Sequence, residues 1–331
     1  MNKWRRRVGN IRVSLQQALL VGCVLCASIF PIEVVPGSMP APKGADGQYS
    51  GKQGQILVIK VAGDDPHAQV RGTFLGRSLS FFPDPRPGET PGYVGLLGLD
   101  MQDEPGTHEL AVEILRGDQT QRVSLNVLVM KEKFRIEHLK LPKEKVDLDE
   151  KAVARWKAEQ EQVKTALAED SRFRLWQGSF VEPVGGKRTG IFGSVRIMNG
   201  QARNPHNGED IGAPTGTDVL ATNDGVVRLI VDHIFSGKGV YVDHGLGFYS
   251  MYFHLSEIAV KDGDVVKAGQ VVGKVGATGR ATGPHLHWGV KLNGARVNPY
   301  ALLDLPFKAA VRAATPQSVT EPAPAVGAPA P

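Results

Sequence analysis

Cysteine is almost absent. The chain of 331 residues has two, Cys23 and Cys26, and both fall in its first 30 positions. A disulfide framework, a cysteine nucleophile and a thiolate zinc finger are thereby excluded from the rest of the chain. Aromatic residues make up only 7%, a poor supply of stacking platforms for single-stranded nucleic acid. Acidic residues are missing from positions 1–30, where Lys3, Arg5, Arg6, Arg7 and Arg12 lie. That local gap accounts for the whole net charge of +5. Setting the five aside leaves 34 of the 39 basic residues against 34 acidic ones. No general basic excess points to a nucleic-acid partner. What is present is globular in composition, 41% hydrophobic and 22% charged, and long enough for about two domains.

The first 30 residues read as a signal peptide. A short basic region precedes a mostly apolar stretch from Val13 to Phe30, followed by Pro31, Pro36, Gly37 and Ser38. This order predicts export to the periplasm or cell envelope. The apolar run is near the lower length limit for a span, so a retained membrane anchor is the alternative. Leu20-Val21-Gly22-Cys23 resembles a lipobox, which would lipidate Cys23, although the residues after it stay apolar.

Residues 31–50 are rich in Pro, Gly and Ser and read as a linker. From 51 to 130 the text is short and strand-like. Val123, Leu125, Val127 and Val129 alternate with other residues, and Gly106 and Gly117-Asp118 mark turns. An immunoglobulin-like β-sandwich of roughly 80 residues is expected there. Its histidines, His67 and His108, stand alone. Residues 131–175 form a helical connector: Asp147 and Glu150 have capping spacing, and Val153, Trp156, Val163 and Leu167 fall on one stripe. Residues 178–300 hold 22 of the 39 glycines, which suits β-turns and hairpins far better than helices. Asp264–Val275 suggests one such hairpin around Ala268-Gly269. The predicted fold is thus mainly β: the sandwich, a connecting helix, and a Gly-rich antiparallel domain over 176–307. The Ala/Pro-rich 308–331 is expected to be a disordered tail.

Chemistry concentrates in three short motifs of that last domain. They are His206-Asn207-Gly208-Glu209-Asp210, Tyr252-Phe253-His254-Leu255-Ser256 and His285-Leu286-His287. Side chains at i and i+2 of a strand share a face, so His285 and His287 project together. One can bind a metal while the other sits beside a bound water. Pro205 and Asn207-Gly208 favour a loop for the first motif, and a loop can still bring His206 and Asp210 together. Two imidazoles and a carboxylate suit zinc and leave a fourth position open. Taken singly, each motif could equally be a structural pair or a turn.

Residues 176–305 resemble the lysostaphin/LytM-type zinc endopeptidases, which cut peptide bonds in bacterial peptidoglycan. The resemblance rests on the three motifs in order, and on Phe192-Gly193, Ala213-Pro214-Thr215-Gly216-Thr217, Asp243-His244-Gly245 and Gly279-Arg280-Ala281-Thr282-Gly283-Pro284. It covers about 130 residues. It implies an antiparallel β-domain with one zinc in an open groove, held by His206, Asp210 and His287. By the same resemblance His254 and His285 are catalytic without being ligands, and peptidoglycan peptide is the substrate. Other cell-wall proteins are further candidate partners. His244 is expected to be structural, His233 and His138 have no assigned role, and Glu209 is expected to alter the groove charge.

The ion would lower the pKa of its water toward ~7. His285 is placed to take or steer the water's proton, and His254 to stabilise an oxyanion, a division that stays open. No HExxH motif supplies a helix-borne Glu base. The competing class is a non-catalytic wall-binding or activator protein on the same fold. A biotinyl or lipoyl carrier, suggested by Asp264–Val275, is disfavoured because no Lys flanked by Met or Asp stands at that turn.

Overall fold

Six of the seven residues of Ile56–Ala62 are buried, which a strand with one wet face would not allow. The computed structural model describes residues 48–307 apart from 64, 66, 85–90, 140–148, 169–170 and 203. The leader with Cys23, most of the linker, Asp147 and the tail lie outside the described residues. Seven strands come first: β1 (Tyr49–Lys52), β2 (Ile56–Ala62), β3 (Gln69–Phe74), β4 (Arg77–Pro83), β5 (Gly92–Gly98), β6 (Gly106–Arg116) and β7 (Gln119–Met130). They form one sheet in the order β1-β7-β6-β3-β4-β5-β2, antiparallel except where β1 meets β7.

This sheet folds over on itself. Leu57, Ile59 and Val61 of β2 share a core with Leu110, Val112 and Ile114 of β6 and with Leu125, Val127 and Val129 of β7. The alternate residues of β2, Ile56 and Val58, face the other way. With Phe82, Val94 and Leu96 they join a second core that contains Trp176, Phe248 and Trp288. Both faces of β2 and β5 are therefore dry, and this explains the largely apolar text of the two strands, which only Lys60 interrupts with a charge. At the rim, buried Asp100 accepts from the backbone N–H, Nε and Nη2 of Arg296 at 2.6–2.9 Å.

The remaining elements are β8 (Ile136–Leu139), α1 (Glu150–Ala166), β9 (Lys187–Gly190), β10 (Val195–Met198), β11 (Gln201–Ala202), β12 (Gly208–Gly212), β13 (Asp218–Leu220), β14 (Gly225–His233), β15 (Gly237–Gly245) and β16 (Phe248–Leu255). After them come β17 (Glu257–Ile258), β18 (Val265–Val266), β19 (Val271–Lys274), β20 (Leu286–Leu292) and β21 (Ala295–Arg296). An eight-stranded sheet runs β18-β14-β15-β16-β20-β12-β9, with β21 on β20. Two small sheets flank it, β11-β10-β8 and β13-β19-β17. The chain is mainly β, as its sequence predicts.

Two local expectations are corrected. Asp264–Val275 is not a hairpin: β18 pairs with β14, while β19 pairs with β13 and β17. Val266 and Val272 are each fully buried in the main core, so each strand joins a sheet rather than its neighbour. The cap of α1 is Asp149, whose Oδ1 accepts from Ala152 N at 2.7 Å, two residues after the expected Asp147. Val163, Ala166 and Leu167 at the end of α1 pack on Leu229, Val231, Tyr241, Met251 and Phe253. The one buried residue of the helix is Glu159. It accepts from Ile234 N at 3.0 Å and from Arg155 Nε at 2.7 Å.

The shared core sets an expectation for truncation. Residues 176–307 expressed alone would expose the faces of Trp176 and Phe248 that β2, β4 and β5 cover. That fragment should aggregate, or melt roughly 10 °C or more below the chain from residue 48. Equal melting temperatures by calorimetry would show that the cover contributes little.

Candidate metal centre

Strands β12 and β20 are antiparallel neighbours, and their register sets Asp210 opposite His287. His206 lies just before β12. Its N–H donates to Ser194 O at 2.9 Å and its carbonyl accepts from Gly193 N at 2.7 Å. The expected loop thus gives way to a strand at Gly208, and the strand carries Asp210. Asp210 Oδ1 is 3.0 Å from His206 Nε2 and 2.9 Å from His287 Nδ1, and those two nitrogens are 3.0 Å apart. All three residues are buried. Among the described residues this is the group whose donor atoms lie within 4.8 Å of one another.

The donor chemistry fits a cation. His206 Nδ1 is 3.1 Å from Ile191 O. A carbonyl only accepts, so the neutral ring holds its proton there and Nε2 presents a lone pair. At most one proton, on His287 Nδ1, can then stand among three lone-pair atoms. A tetrahedral ion with ligands at about 2.0–2.1 Å separates them by about 3.3 Å, close to the spacing found. Burial lowers the pKa of His287 to about 4 against the pull of Asp210. For Asp210, burial opposes ionisation, but the imidazoles of His206 and His287 beside it outweigh that and hold the carboxyl below the usual range. At neutral pH His287 is thus neutral and Asp210 ionised, the states in which an imidazole and a carboxylate can ligate a metal.

His254 and His285 stand beside this triangle. Their ring centroids are 4.7 Å apart, and His285 Nε2 is 3.7 Å from Asp210 Oδ1. Each has Nδ1 at 2.8 Å from a backbone carbonyl, of Thr278 and Gly283 respectively. The same reasoning gives both a free Nε2 lone pair. Burial first, then the neighbouring His287 and His285, brings the pKa of His254 to about 3. His254 also has φ +63°, the left-handed region that a non-glycine residue seldom enters. Strand alternation would send Phe253 and His254 to opposite faces. The register shift opposite Lys238–Val240 and the positive φ let both reach His287. Phe253 stacks on that ring at 5.6 Å, and His254 meets it edge-on at 6.0 Å.

The site opens on a groove of about 1210 Å³ whose walls include Trp156 and Val163 of α1, Tyr241, Phe253 and Arg196. Glu209 does not enter it, against expectation. It alternates to the face opposite Asp210, fully buried, where Arg188 Nε donates to it at 3.0 Å and Phe192 N at 3.2 Å. His244 is buried elsewhere, between Asp224 O and Ser250 Oγ, both at 2.7 Å. His233 contacts Gln162 of α1 at 3.0 Å. Sequence reading missed Arg196, whose Nη2 donates to Asp210 Oδ2 at 2.7 Å. No local motif announces it.

A buried His-Asp-His triangle in an open groove on an antiparallel sheet defines the class as a β-domain with a candidate metal centre. Residues 204–299 match the family described as Peptidase family M23. A solved Pseudomonas aeruginosa structure assigned to peptidase M23 is 31% identical, with a TM-score of 0.57, and the alignment covers 75% of this chain and 92% of that one. The chain belongs to peptidase family M23. It is 46% identical over 94 residues to the Peptidoglycan DD-endopeptidase ShyA of Vibrio cholerae, covering 28% of this chain and 22% of ShyA. It is 42% identical over 142 residues to the DD-carboxypeptidase/endopeptidase Mpg of Neisseria meningitidis, covering 40% of this chain and 31% of Mpg. The chain thus spans less than a third of the length of either relative.

Close packing behind the triangle makes a prediction. A Cβ at Gly208 would lie 2.5 Å from Trp288 O and 2.6 Å from His287 Nε2. Gly208→Ala should displace His287 and weaken metal retention against a chelator by tenfold or more. Retention equal to wild type would show that the ring has room to yield.

Proposed function

We propose that this chain is an exported zinc-dependent endopeptidase that hydrolyses peptide cross-links of bacterial peptidoglycan. The observation that carries this reading is the convergence of three ligand atoms, with two further imidazole lone pairs beside them, at the floor of an open groove. The names of ShyA and Mpg support the substrate class over the shared part. In this reading His206, Asp210 and His287 hold one zinc, and His254 and His285 are the catalytic histidines. Residues 176–307 form the peptidase part, 131–175 the connector and 51–130 the preceding β-domain. The leader directs the chain to the periplasm or envelope.

Zinc held there would supply Lewis acidity toward a scissile carbonyl and a water that ionises near neutral pH. The protein supplies the rest. His254 and His285 each keep Nε2 free beside the triangle, fixed by a carbonyl contact at Nδ1. Either ring can accept the proton of an attacking water. Once protonated, it can donate to the oxyanion or to the leaving amine. Arg196 holds Asp210 Oδ2 from the groove wall, and Phe253 and Tyr241 give the groove an apolar side.

His206→Ala should lose both zinc and hydrolysis of purified peptidoglycan while circular dichroism stays β-like. Recovery of one zinc per chain in that variant would remove the ligand assignment. His254→Ala and His285→Ala should retain zinc and lower turnover by on the order of 10²–10⁴. Near-normal turnover in either variant would strike that ring from the mechanism.

A further inference from the structure

Asp210 has two oxygens, and the protein treats them differently. Oδ1 faces His206, His287 and His285. Oδ2 faces away from the rings and accepts from Arg196 Nη2 at 2.7 Å. Arg196 is on β10, and β10 pairs in parallel with β8 so that Arg196 stands beside Glu137. The Glu137 carboxylate accepts from Ser194 Oγ at 2.9 Å and lies 3.7 Å from Arg196 Nε. The guanidinium is thus held between two carboxylates, one from the connector and one from the triangle, with its side chain 20% exposed. Gly190 leaves the space for this contact. A Cβ there would fall 2.2 Å from Asp210 Oδ2 and 2.8 Å from Arg196 Nη2.

We propose that Arg196, seated by Glu137 of the connector, is a positioning residue that occupies Oδ2 of Asp210 and leaves Oδ1 alone to ligate the metal. The inference rests on the ligand set proposed above. A carboxylate without that partner can turn and offer both oxygens to one ion. The second oxygen would then fill the coordination position that a catalytic site must keep for water. A charged N–H on Oδ2 opposes that rotation, because turning would break a charge-assisted hydrogen bond in a mostly buried setting. It also compensates the buried negative charge while no metal is bound. Strand β8 thereby links residues ahead of the peptidase part to the geometry of its site.

The test is zinc affinity without substrate, by competition with a chromophoric chelator, on the full chain. Arg196→Met should weaken zinc binding by on the order of 10–100-fold, and Arg196→Lys should recover much of that loss. Glu137→Gln, which keeps the bond from Ser194, should weaken binding severalfold. It also carries the comparison if Arg196→Met does not fold. Cobalt(II) in place of zinc should absorb less strongly in the visible in Arg196→Met, as the coordination number rises. Affinity within twofold of wild type in both Arg196→Met and Glu137→Gln would overturn the proposal. So would a weakened Arg196→Met that Lys does not rescue when the metal-free melting temperatures match. If wild type binds zinc with these affinities but cuts no wall peptide, the peptidase reading fails and this one stands.

Discussion

Asp210 faces His287 across the β12–β20 pairing, and the rest of the site is arranged around that one register. The side-chain period of a strand is two, so a slip of one residue would send Asp210 to the face now held by Glu209. Burial guards against such a slip. Ile211 and Trp288 are fully buried on the core side of the same two strands. A shifted register would bring them into the groove and carry a carboxylate into the core. The geometry of the triangle is thus secured by hydrophobic cost on the opposite face as well as by the three residues themselves.

The same two-sided logic applies to β2 and β5. Each buries one face in the core of the folded-over sheet and the other against Trp176, Phe248 and Trp288. The β-strands that come first in the chain act as the back wall of the large sheet. Their connector then returns to the groove side twice. Strand β8 pairs with β10 beside the Asp210 end of the site. Helix α1 reaches the β14–β15 turn through Glu159, which accepts from Ile234 N. That turn supplies Ser236 O, which accepts from His254 N at 2.9 Å. Both ends of the site are therefore braced from residues 131–167.

Much of this was legible in the residues. The glycine density, the alternation of Val123 to Val129 and the order of the three histidine motifs carry the mainly β architecture and the residues that converge at the site. Other features were not legible, for identifiable reasons. Apolar pairs around a turn read as a hairpin at Asp264–Val275, because local text does not say which sheet each strand joins. The positive φ of His254 is invisible in a motif that otherwise reads as regular strand. Arg196 lies 14 residues before Asp210 and is brought to it by the pairing of Gly190 with Asp210 and the backbone bonds of His206 with Gly193 and Ser194, none of which a local motif announces. Glu209 was misread because its orientation follows from its parity relative to Asp210, and a loop reading of that motif carried no parity.

Correct parity makes sense of a costly arrangement. Strand β12 buries two adjacent carboxylates, Glu209 at 0% and Asp210 at 8% exposure. Two unpaired charges there would each cost several kcal/mol. The strand sends them to opposite faces, and each face supplies one arginine: Arg188 for Glu209, Arg196 for Asp210. Arg188 is held in turn by the Tyr300 ring, 4.4 Å below its guanidinium. The Glu209 pair is closed, because its carboxylate also takes the Phe192 N–H and has no imidazole beside it. The Asp210 pair is left half open, with Oδ1 turned to three imidazoles. Compensation on one oxygen is what allows the other to be kept for a cation, and on this strand only the carboxylate facing the groove is treated that way.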